Sequence, residues 1–212
     1  MENYKKNLEF LTKNHVYSKE MEHDACGVGL IASTEGKKSR AIVEYGIEAL
    51  KAVWHRGAVD ADGKTGDGAG IHVEIPKDFF IEKIQVTGHD YDNSEICVGM
   101  IFLPRNDYSA QESCKTIVES ELTKNNFSIY GWRQVPVNPK VLGEKALQTM
   151  PEIIQVLFKP NDPNLLDKNL ERKIYEIRKR IENKAFDASL NNFYICSISS
   201  KSIIYKGLYL AE

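Results

Sequence analysis

The sequence lacks several features that would place it in a specialised class of protein. Its longest apolar run, near residues 96–103, is far too short to cross a bilayer. Its 28 basic and 30 acidic residues give a formal net charge of −2, and no basic cluster of the kind that binds nucleic acid is present. Residues 1–22 contain no apolar stretch typical of a secretory signal. We therefore expect neither a membrane nor a nucleic acid as a partner.

Cysteine is scarce, and its spacing is uninformative about metals or disulfides. The four cysteines, Cys26, Cys97, Cys114 and Cys196, are widely spaced and form no CxxC pair. Together with the missing secretory signal, this favours reduced thiols in a cytoplasmic protein. The five histidines show no HxxxH spacing, so we expect no metal site. We interpret all but Cys26 as packing residues, because they fall on predicted core faces.

The apolar pattern predicts an α+β layered fold. Strands often follow one another directly, which disfavours the strict strand–helix alternation of a doubly wound sheet. Residues 1–22 are polar and charged with only scattered apolar residues, and we interpret them as a solvated N-terminal arm or a removable propeptide, with composition favouring the arm. Helices are predicted over 40–55, 109–125 and 170–186, with Gly57 as the stop signal of the first. Strands are predicted over 25–33, 71–76, 96–104, 129–136, 153–159, 193–199 and 202–210.

A glycine-rich loop runs from Asp62 to Gly70. Phosphate-binding loops place glycines between a strand and the start of a helix, but here the order is helix, glycines, strand. Neither GxxxxGK[ST] nor a GxGxxG that opens a helix is present. We therefore do not expect a nucleotide site, and we interpret the loop as one that lets the backbone approach another segment closely.

Cys26 lies at the start of a short apolar segment and is flanked by Gly27. A cysteine nucleophile needs a base and an oxyanion stabiliser, and the scattered histidines establish no conventional Cys-His-Asp pattern. If the chain were cleaved between Ala25 and Cys26, the new α-amino group, with a pKa of about 7.7–8.0, could act as that base. From the residues alone, an inert buried cysteine is still the favoured interpretation.

A set of ordered motifs changes this interpretation. The motifs are CGVG at 26–29, HRGA at 55–58, TGDGAG at 65–70, IP at 75–76, GWRQVP at 131–136, the segment 151–156, FYICS at 193–197 and YKG at 205–207. Together they resemble the class II glutamine amidotransferase domain that begins the large subunit of glutamate synthase. The resemblance covers nearly the whole chain from about His23 onward.

The resemblance implies an N-terminal-nucleophile hydrolase with a four-layer αββα sandwich. It implies that the leader of residues 1–25 is removed, so that Cys26 becomes the first residue of one amidotransferase domain over 26–212. Cys26 would attack the side-chain amide of L-glutamine, release ammonia and form a thioester that water hydrolyses, with its own amine carrying the proton. Arg56 and Gly57 would arrange the site. The loop with Gly66, Asp67, Gly68 and Gly70 would be a close-approach element, or simply a turn.

Two segments of the family pattern do not occur in the sequence. They are the Arg-Phe-Ser-Thr-Asn-Thr segment, whose arginine binds the substrate carboxylate, and the His-Asn-Gly-Glu-Ile-Asn segment, whose Asn-Gly pair forms the oxyanion hole. Loss of a single oxyanion donor costs roughly 10²–10³ in rate. We therefore expect a C-terminally incomplete domain with negligible glutaminase activity on its own. A non-catalytic remnant or a partner-binding module is the alternative.

The same resemblance defines the expected cofactors and partners. The parent enzyme uses FMN and an iron–sulfur cluster in its oxidoreductase part, so we expect no cofactor in this chain. The expected partners are L-glutamine and the remaining portion of the glutamate synthase large subunit.

Overall fold

The computed structural model of the protein describes residues 2–14, 27–53, 57–208 and 210. Within these ranges the chain forms six α-helices, a short 3₁₀ helix at Pro139–Val141 and six β-strands. The helices are α1 (Glu2–Asn14), α2 (Arg40–Ala52), α3 (Lys77–Val86), α4 (Tyr108–Lys124), α5 (Glu144–Gln148) and α6 (Asp167–Asp187). The strands are β1 (Ala69–Glu74), β2 (Cys97–Leu103), β3 (Phe127–Gln134), β4 (Glu152–Pro160), β5 (Tyr194–Ser199) and β6 (Ser202–Gly207).

The strands form two antiparallel sheets. The larger sheet has the order β3-β4-β2-β5, and β1 pairs with β6 in a separate two-stranded sheet. In the larger sheet, Gly99 of β2 lies opposite Val156 of β4 and Ile198 of β5. In the smaller sheet, Gly70 of β1 lies opposite Lys206 of β6. The predicted mixed fold is confirmed, and both sheets are antiparallel, unlike a doubly wound sheet. The expectation that strands often follow one another directly is wrong for the described residues, because a helix separates every pair of consecutive strands except β5 and β6.

The side chains of β2 contribute to two hydrophobic clusters. Cys97, Ile101 and Leu103 pack with buried residues of α4 and α6. Val98 and Met100 pack in a second cluster. Successive side chains of a strand point to opposite faces, so a strand covered on both faces needs a continuous apolar run. The uninterrupted apolar run at 96–103 is thus explained by the burial of both faces of β2.

The second cluster contains side chains of α3 and of the smaller sheet. Phe80 and Ile84 of α3 and Ile203 of β6 are fully buried there. Only Ser200 and Lys201 separate β5 from β6, so the smaller sheet lies directly beside the larger one. Helix α2 in turn contacts β1. This arrangement leaves a cleft between the two sheets at the end where β1 begins and β6 finishes.

The two long helices are each stabilised by a feature visible in the sequence: an apolar stripe in α6 and an N-terminal capping residue in α4. Helix α6 buries Leu170, Ile174, Ile177 and Ile181, which recur every three or four residues and therefore share one face. Helix α4 is capped at its N-terminus by Asp107, whose side chain accepts a hydrogen bond of 2.9 Å from the Ala110 amide. The predicted helices over 109–125 and 170–186 are both confirmed.

The predicted strand over 25–33 is wrong for the part that the structure describes. Residues 27–33 form no strand, and the side chains of Val28 and Leu30 are 92% and 89% exposed. Apolar composition favours a strand only where a neighbouring strand supplies hydrogen bonds and burial. Among the residues that the structure describes, the smaller sheet consists of β1 and β6, and residues 27–33 do not pair with either strand.

Several helical predictions also need correction. Helices α1, α3 and α5 were not predicted, although the described side chains of α1 are exposed, as expected for a solvated arm. Helix α2 ends at Ala52 with Val53 as its C-cap, so Gly57 is not its stop signal. Helices α3 and α5 escape a periodicity search because they are only 10 and 5 residues long. In the part of the chain described, no helix has both the length and the apolar character needed to cross a membrane.

Candidate active site

An open cleft of about 2030 Å³ lies between the smaller sheet and one end of the larger sheet. One wall is formed by residues of β1 and β6, including Gly70, His72 and Lys206. The other wall is formed by the end of β2 and the start of β5, including Phe102 and Tyr194. Residues within the segments 102–107, 137–142, 146–151 and 191–194 also line the cleft.

The cleft brings together residues that the sequence singled out from three separate motifs. Gly27, Gly57, Asp67, Gly68 and Gly70 all line it. The predicted nucleophile Cys26 and the predicted site-arranging residue Arg56 lie outside the described residues, but each is the immediate neighbour of a lining glycine. Gly66 does not line the cleft; it is buried and forms an isolated antiparallel bridge with Val59.

Two glycines of the loop are needed for different reasons. At Gly70 a side chain would begin 2.8 Å from the Tyr205 carbonyl oxygen and 2.9 Å from the Lys206 Cβ, so β1 and β6 could not approach as they do. At Gly68 there is more room, but the φ of +118° lies in a region that favours glycine. The close-approach interpretation thus has a direct geometric counterpart at Gly70.

The preceding part of the loop is fixed by the carboxylate of Asp62. Its Oδ1 accepts hydrogen bonds from the Lys64 amide at 2.9 Å and from the Thr65 amide at 2.7 Å. Its Oδ2 accepts from the Thr65 hydroxyl at 2.5 Å. These bonds, the Thr65 hydroxyl foremost, hold the pKa of Asp62 well below its usual value. The side chain of Asp60 likewise has a lowered pKa, chiefly because the Lys145 ammonium donates to it at 2.6 Å.

Comparison with known proteins assigns the chain to a family. A sequence model of the glutamine amidotransferases class-II matches residues 26–212. The chain belongs to the class II glutamine amidotransferases. The family resemblance proposed from the ordered motifs is therefore confirmed.

This class II amidotransferase chain spans only a small part of the curated relatives that it matches. It is 53% identical over 209 residues to the glutamate synthase [NADPH] large chain of Azospirillum brasilense, covering 99% of this chain and 14% of that protein. It is 39% identical over 194 residues to the chloroplastic ferredoxin-dependent glutamate synthase of Spinacia oleracea, covering 90% of this chain and 12% of that protein. The ferredoxin-dependent glutamate synthase of Pyropia yezoensis is 40% identical over 194 residues, with 89% and 12% covered.

The structure of this amidotransferase chain adds two cleft residues that sequence reasoning did not assign to the site. The Lys206 ammonium donates a hydrogen bond of 2.7 Å to the Tyr194 hydroxyl and lies 4.4 Å from the centre of the Tyr194 ring. Both residues line the cleft. The signal was available, since they stand in the FYICS and YKG motifs that carried the resemblance. Their contact in the cleft was missed because a sequence motif does not show which residues touch each other in the folded chain.

The three described cysteines of the amidotransferase chain are packing residues, as predicted. Cys97 and Cys114 are fully buried, and Cys196 is 4% exposed. Burial raises the pKa of the Cys114 thiol to about 11 and that of Cys97 well above its usual value, and it also raises the pKa of Cys196. At pH 8 a thiol with a pKa near 11 is ionised to only about one part in a thousand, so Cys114 is a poor nucleophile.

Proposed function

We propose that this chain is the glutamine-hydrolysing part of a glutamate synthase and that Cys26 is its nucleophile. The observation that carries the proposal is the meeting of Gly27, Gly57, Gly68 and Gly70 in one cleft. These glycines come from three motifs of the family, and two of them are the sequence neighbours of Cys26 and Arg56. The family match, which begins at residue 26, supports the same assignment.

In the proposed reaction, removal of residues 1–25 frees the α-amino group of Cys26, and this amine takes the thiol proton. The sulfur attacks the side-chain amide carbon of L-glutamine, and the carbon–nitrogen bond breaks. The nitrogen takes the proton from the α-amine and leaves as ammonia. Water then cleaves the carbon–sulfur bond of the thioester, giving glutamate and the free thiol. An α-amine with a pKa of about 7.7–8.0 suits this proton transfer at neutral pH.

The other proposed site residues shape the cleft. Arg56 and Gly57 arrange the site beside the nucleophile, and Gly66, Asp67, Gly68 and Gly70 form the close-approach loop. Gly70 supports this role because its missing side chain permits the contact between β1 and β6. The lining of the cleft by Gly57, Asp67 and Gly68 supports it for the rest of the loop.

For the fold, we infer the four-layer αββα sandwich of N-terminal-nucleophile hydrolases. The packing of α4 and α6 with the larger sheet, of the larger sheet beside the smaller one, and of α2 against β1 supports this order of layers.

We also propose that the remaining portion of a glutamate synthase large subunit covers an apolar surface of this chain. Helix α2 has an amphipathic sequence, yet none of its residues is buried. Val28 and Leu30, which follow the cleft-lining Gly27 in sequence, are almost fully exposed. Apolar groups in such positions favour burial against another polypeptide segment. In this proposal FMN and the iron–sulfur cluster belong to that remaining portion, and the enzyme is cytoplasmic.

The test is to express the 212-residue chain and determine its mature N-terminus by intact mass and Edman sequencing. The protein is then treated with 6-diazo-5-oxo-L-norleucine, a glutamine analogue that alkylates the amidotransferase nucleophile. Covalent labelling accumulates even when turnover is slow, so it reports on the nucleophile independently of glutaminase rate. Glutaminase assays of the same preparation test the expectation of negligible activity for this polypeptide alone.

We expect a terminus at Cys26 and a single adduct on that residue. The adduct should be absent in Cys26→Ala and retained in the matched control Cys114→Ser, because the Cys114 thiol is buried and hardly ionised. An uncut Met1 terminus together with an unlabelled Cys26 would contradict the proposal and favour a non-catalytic, partner-binding module.

A further inference from the structure

The loop that carries the cleft glycines is attached to a segment more than 80 residues away. The attachment point is Thr65, whose side chain is almost completely buried at 7% exposure. Its hydroxyl donates to Asp62 and accepts a hydrogen bond of 3.3 Å from the Ala146 amide in helix α5. A second link joins the Lys145 ammonium to the Asp60 carboxylate at 2.6 Å.

The contact between the two segments leaves no spare room. A side chain at Gly143 would overlap the Thr65 hydroxyl, the Thr65 amide and the Asp62 carboxylate, although the φ of Gly143 is an ordinary −70°. Glycine is therefore required at this position for space and not for backbone conformation. The loop and the start of α5 fit together in one arrangement.

This attachment joins two segments, the hairpin of residues 58–67 and helix α5, whose residues line the cleft. Residues 58–67 form a small hairpin, closed by the Val59–Gly66 bridge and by the hydrogen bond from the Asp67 amide to the Ala58 carbonyl at 3.2 Å. Gly57 lies at one end of this hairpin and Asp67 at the other, and both line the cleft. Ala146, to which Thr65 is bonded, lines it as well. Fixing the hairpin therefore fixes a continuous part of the cleft wall.

We propose that Thr65 and Asp62 are positioning residues of the amidotransferase site, which hold the hairpin of residues 58–67 on α5 so that the cleft wall is ready to receive glutamine. This inference rests on the proposed function. Neither residue touches the reacting atoms; both act through the hairpin. Without the attachment, only a fraction of molecules has the competent wall. The apparent dissociation constant of a cleft ligand rises by the inverse of that fraction.

The test compares Thr65→Val with Thr65→Ser in the full chain. Valine has nearly the shape of threonine but cannot donate to Asp62 or accept from Ala146, whereas serine retains the hydroxyl. Thr116→Val, on the exposed face of α4, is the matched control for the same chemical change elsewhere. Three quantities are measured: the concentration dependence of Cys26 labelling by 6-diazo-5-oxo-L-norleucine, the rate of Cys26 alkylation by iodoacetamide, and hydrogen exchange over 57–70 and 143–148.

In Thr65→Val we expect the half-saturating concentration of the glutamine analogue to rise about five- to tenfold, while the maximal labelling rate stays within about twofold. Alkylation by iodoacetamide, which is too small to need the wall, should be unchanged. Exchange should increase in both segments. Thr65→Ser and Thr116→Val should behave like the wild type.

Faster exchange with unchanged half-saturation would overturn the proposal, because the hairpin would then be released without consequence for the cleft. Parallel changes in the maximal rate and in iodoacetamide reactivity would also overturn it, since they indicate general loosening of the fold. If the wild-type chain keeps an uncut Met1 terminus and its Cys26 is not labelled by the analogue, the proposed amidotransferase function fails. The exchange data then still decide whether the Thr65 hydroxyl holds the hairpin on α5.

Discussion

Replacement of Gly70 by alanine isolates the contribution of close backbone approach to the cleft wall. The new Cβ would lie 2.8 Å from the Tyr205 carbonyl oxygen and 2.9 Å from the Lys206 Cβ, both shorter than a normal van der Waals contact. The φ of Gly70 lies outside the left-handed region, so alanine is not excluded by conformation. The two strands must therefore separate at the pair formed by Gly70 and Lys206.

The magnitude follows from two opposing effects. Inserting a methyl group into a filled site costs typically about 1–3 kcal/mol. Replacing glycine by alanine also reduces the conformational freedom of the unfolded chain, which stabilises the folded protein by about 0.4–1 kcal/mol. The difference between the mid-range values is a net loss of about 1.3 kcal/mol in the free energy of unfolding. For a chain of this size, that lowers Tm by roughly 3–5 °C.

Thermal unfolding followed by circular dichroism measures this change, and hydrogen exchange shows where it acts. We expect faster exchange at the Tyr205 and Lys206 amides, together with the lower Tm. Gly29→Ala is the matched control, because a Cβ there meets no atom within 4 Å and its φ is outside the left-handed region. Its Tm should be equal to or slightly above that of the wild type. A Gly70→Ala protein as stable as this control would refute the argument from close approach.

Two further predictions concern stability away from the cleft. Ile177→Ala removes a fully buried side chain from α6 and should lower the free energy of unfolding by about 2–5 kcal/mol in urea titration, whereas Tyr175→Ala, at 61% exposure, should change it by less than about 0.5 kcal/mol. Equal effects would contradict the assigned orientation of α6. Asp92 has a pKa below its usual 3.8, chiefly because Lys159 donates to its carboxylate. Its contribution is therefore complete above pH 3.8 and is lost as the pH falls toward the lowered pKa. The Tm difference between wild type and Asp92→Asn should stay constant from about pH 7 to 5 and shrink below about pH 4; a difference that already shrinks at pH 6 would contradict this assignment.

The fold was predictable where the burial of a segment requires a clear apolar pattern in its sequence. The apolar run at 96–103 predicted a strand covered on both faces, and β2 is an inner strand of the larger sheet whose side chains are almost all buried. The three-or-four-residue spacing in α6 predicted its buried stripe. Helices α3 and α5 were missed because short helices carry too few turns for such a pattern. The strand predicted over 25–33 failed in its described part because apolar composition does not specify whether a neighbouring strand is available.

The candidate site was also predictable in part from the sequence. The sequence by itself determined the family, since the ordered motifs from CGVG to YKG require no knowledge of contacts. It also singled out Gly57, Asp67, Gly68 and Gly70, which all line the cleft. Residue types in ordered motifs can be recognised from the sequence alone, because they do not depend on contacts between distant segments.

Only the tertiary structure decided which distant residues meet. The bond of the Thr65 hydroxyl to the Ala146 amide and that of Lys206 to Tyr194 join segments that no local pattern connects. The structure also separated the two reasons for glycine, space at Gly70 and backbone conformation at Gly68. Steric exclusion and hydrogen bonding depend on distances between atoms, and folding sets those distances between residues far apart in the chain.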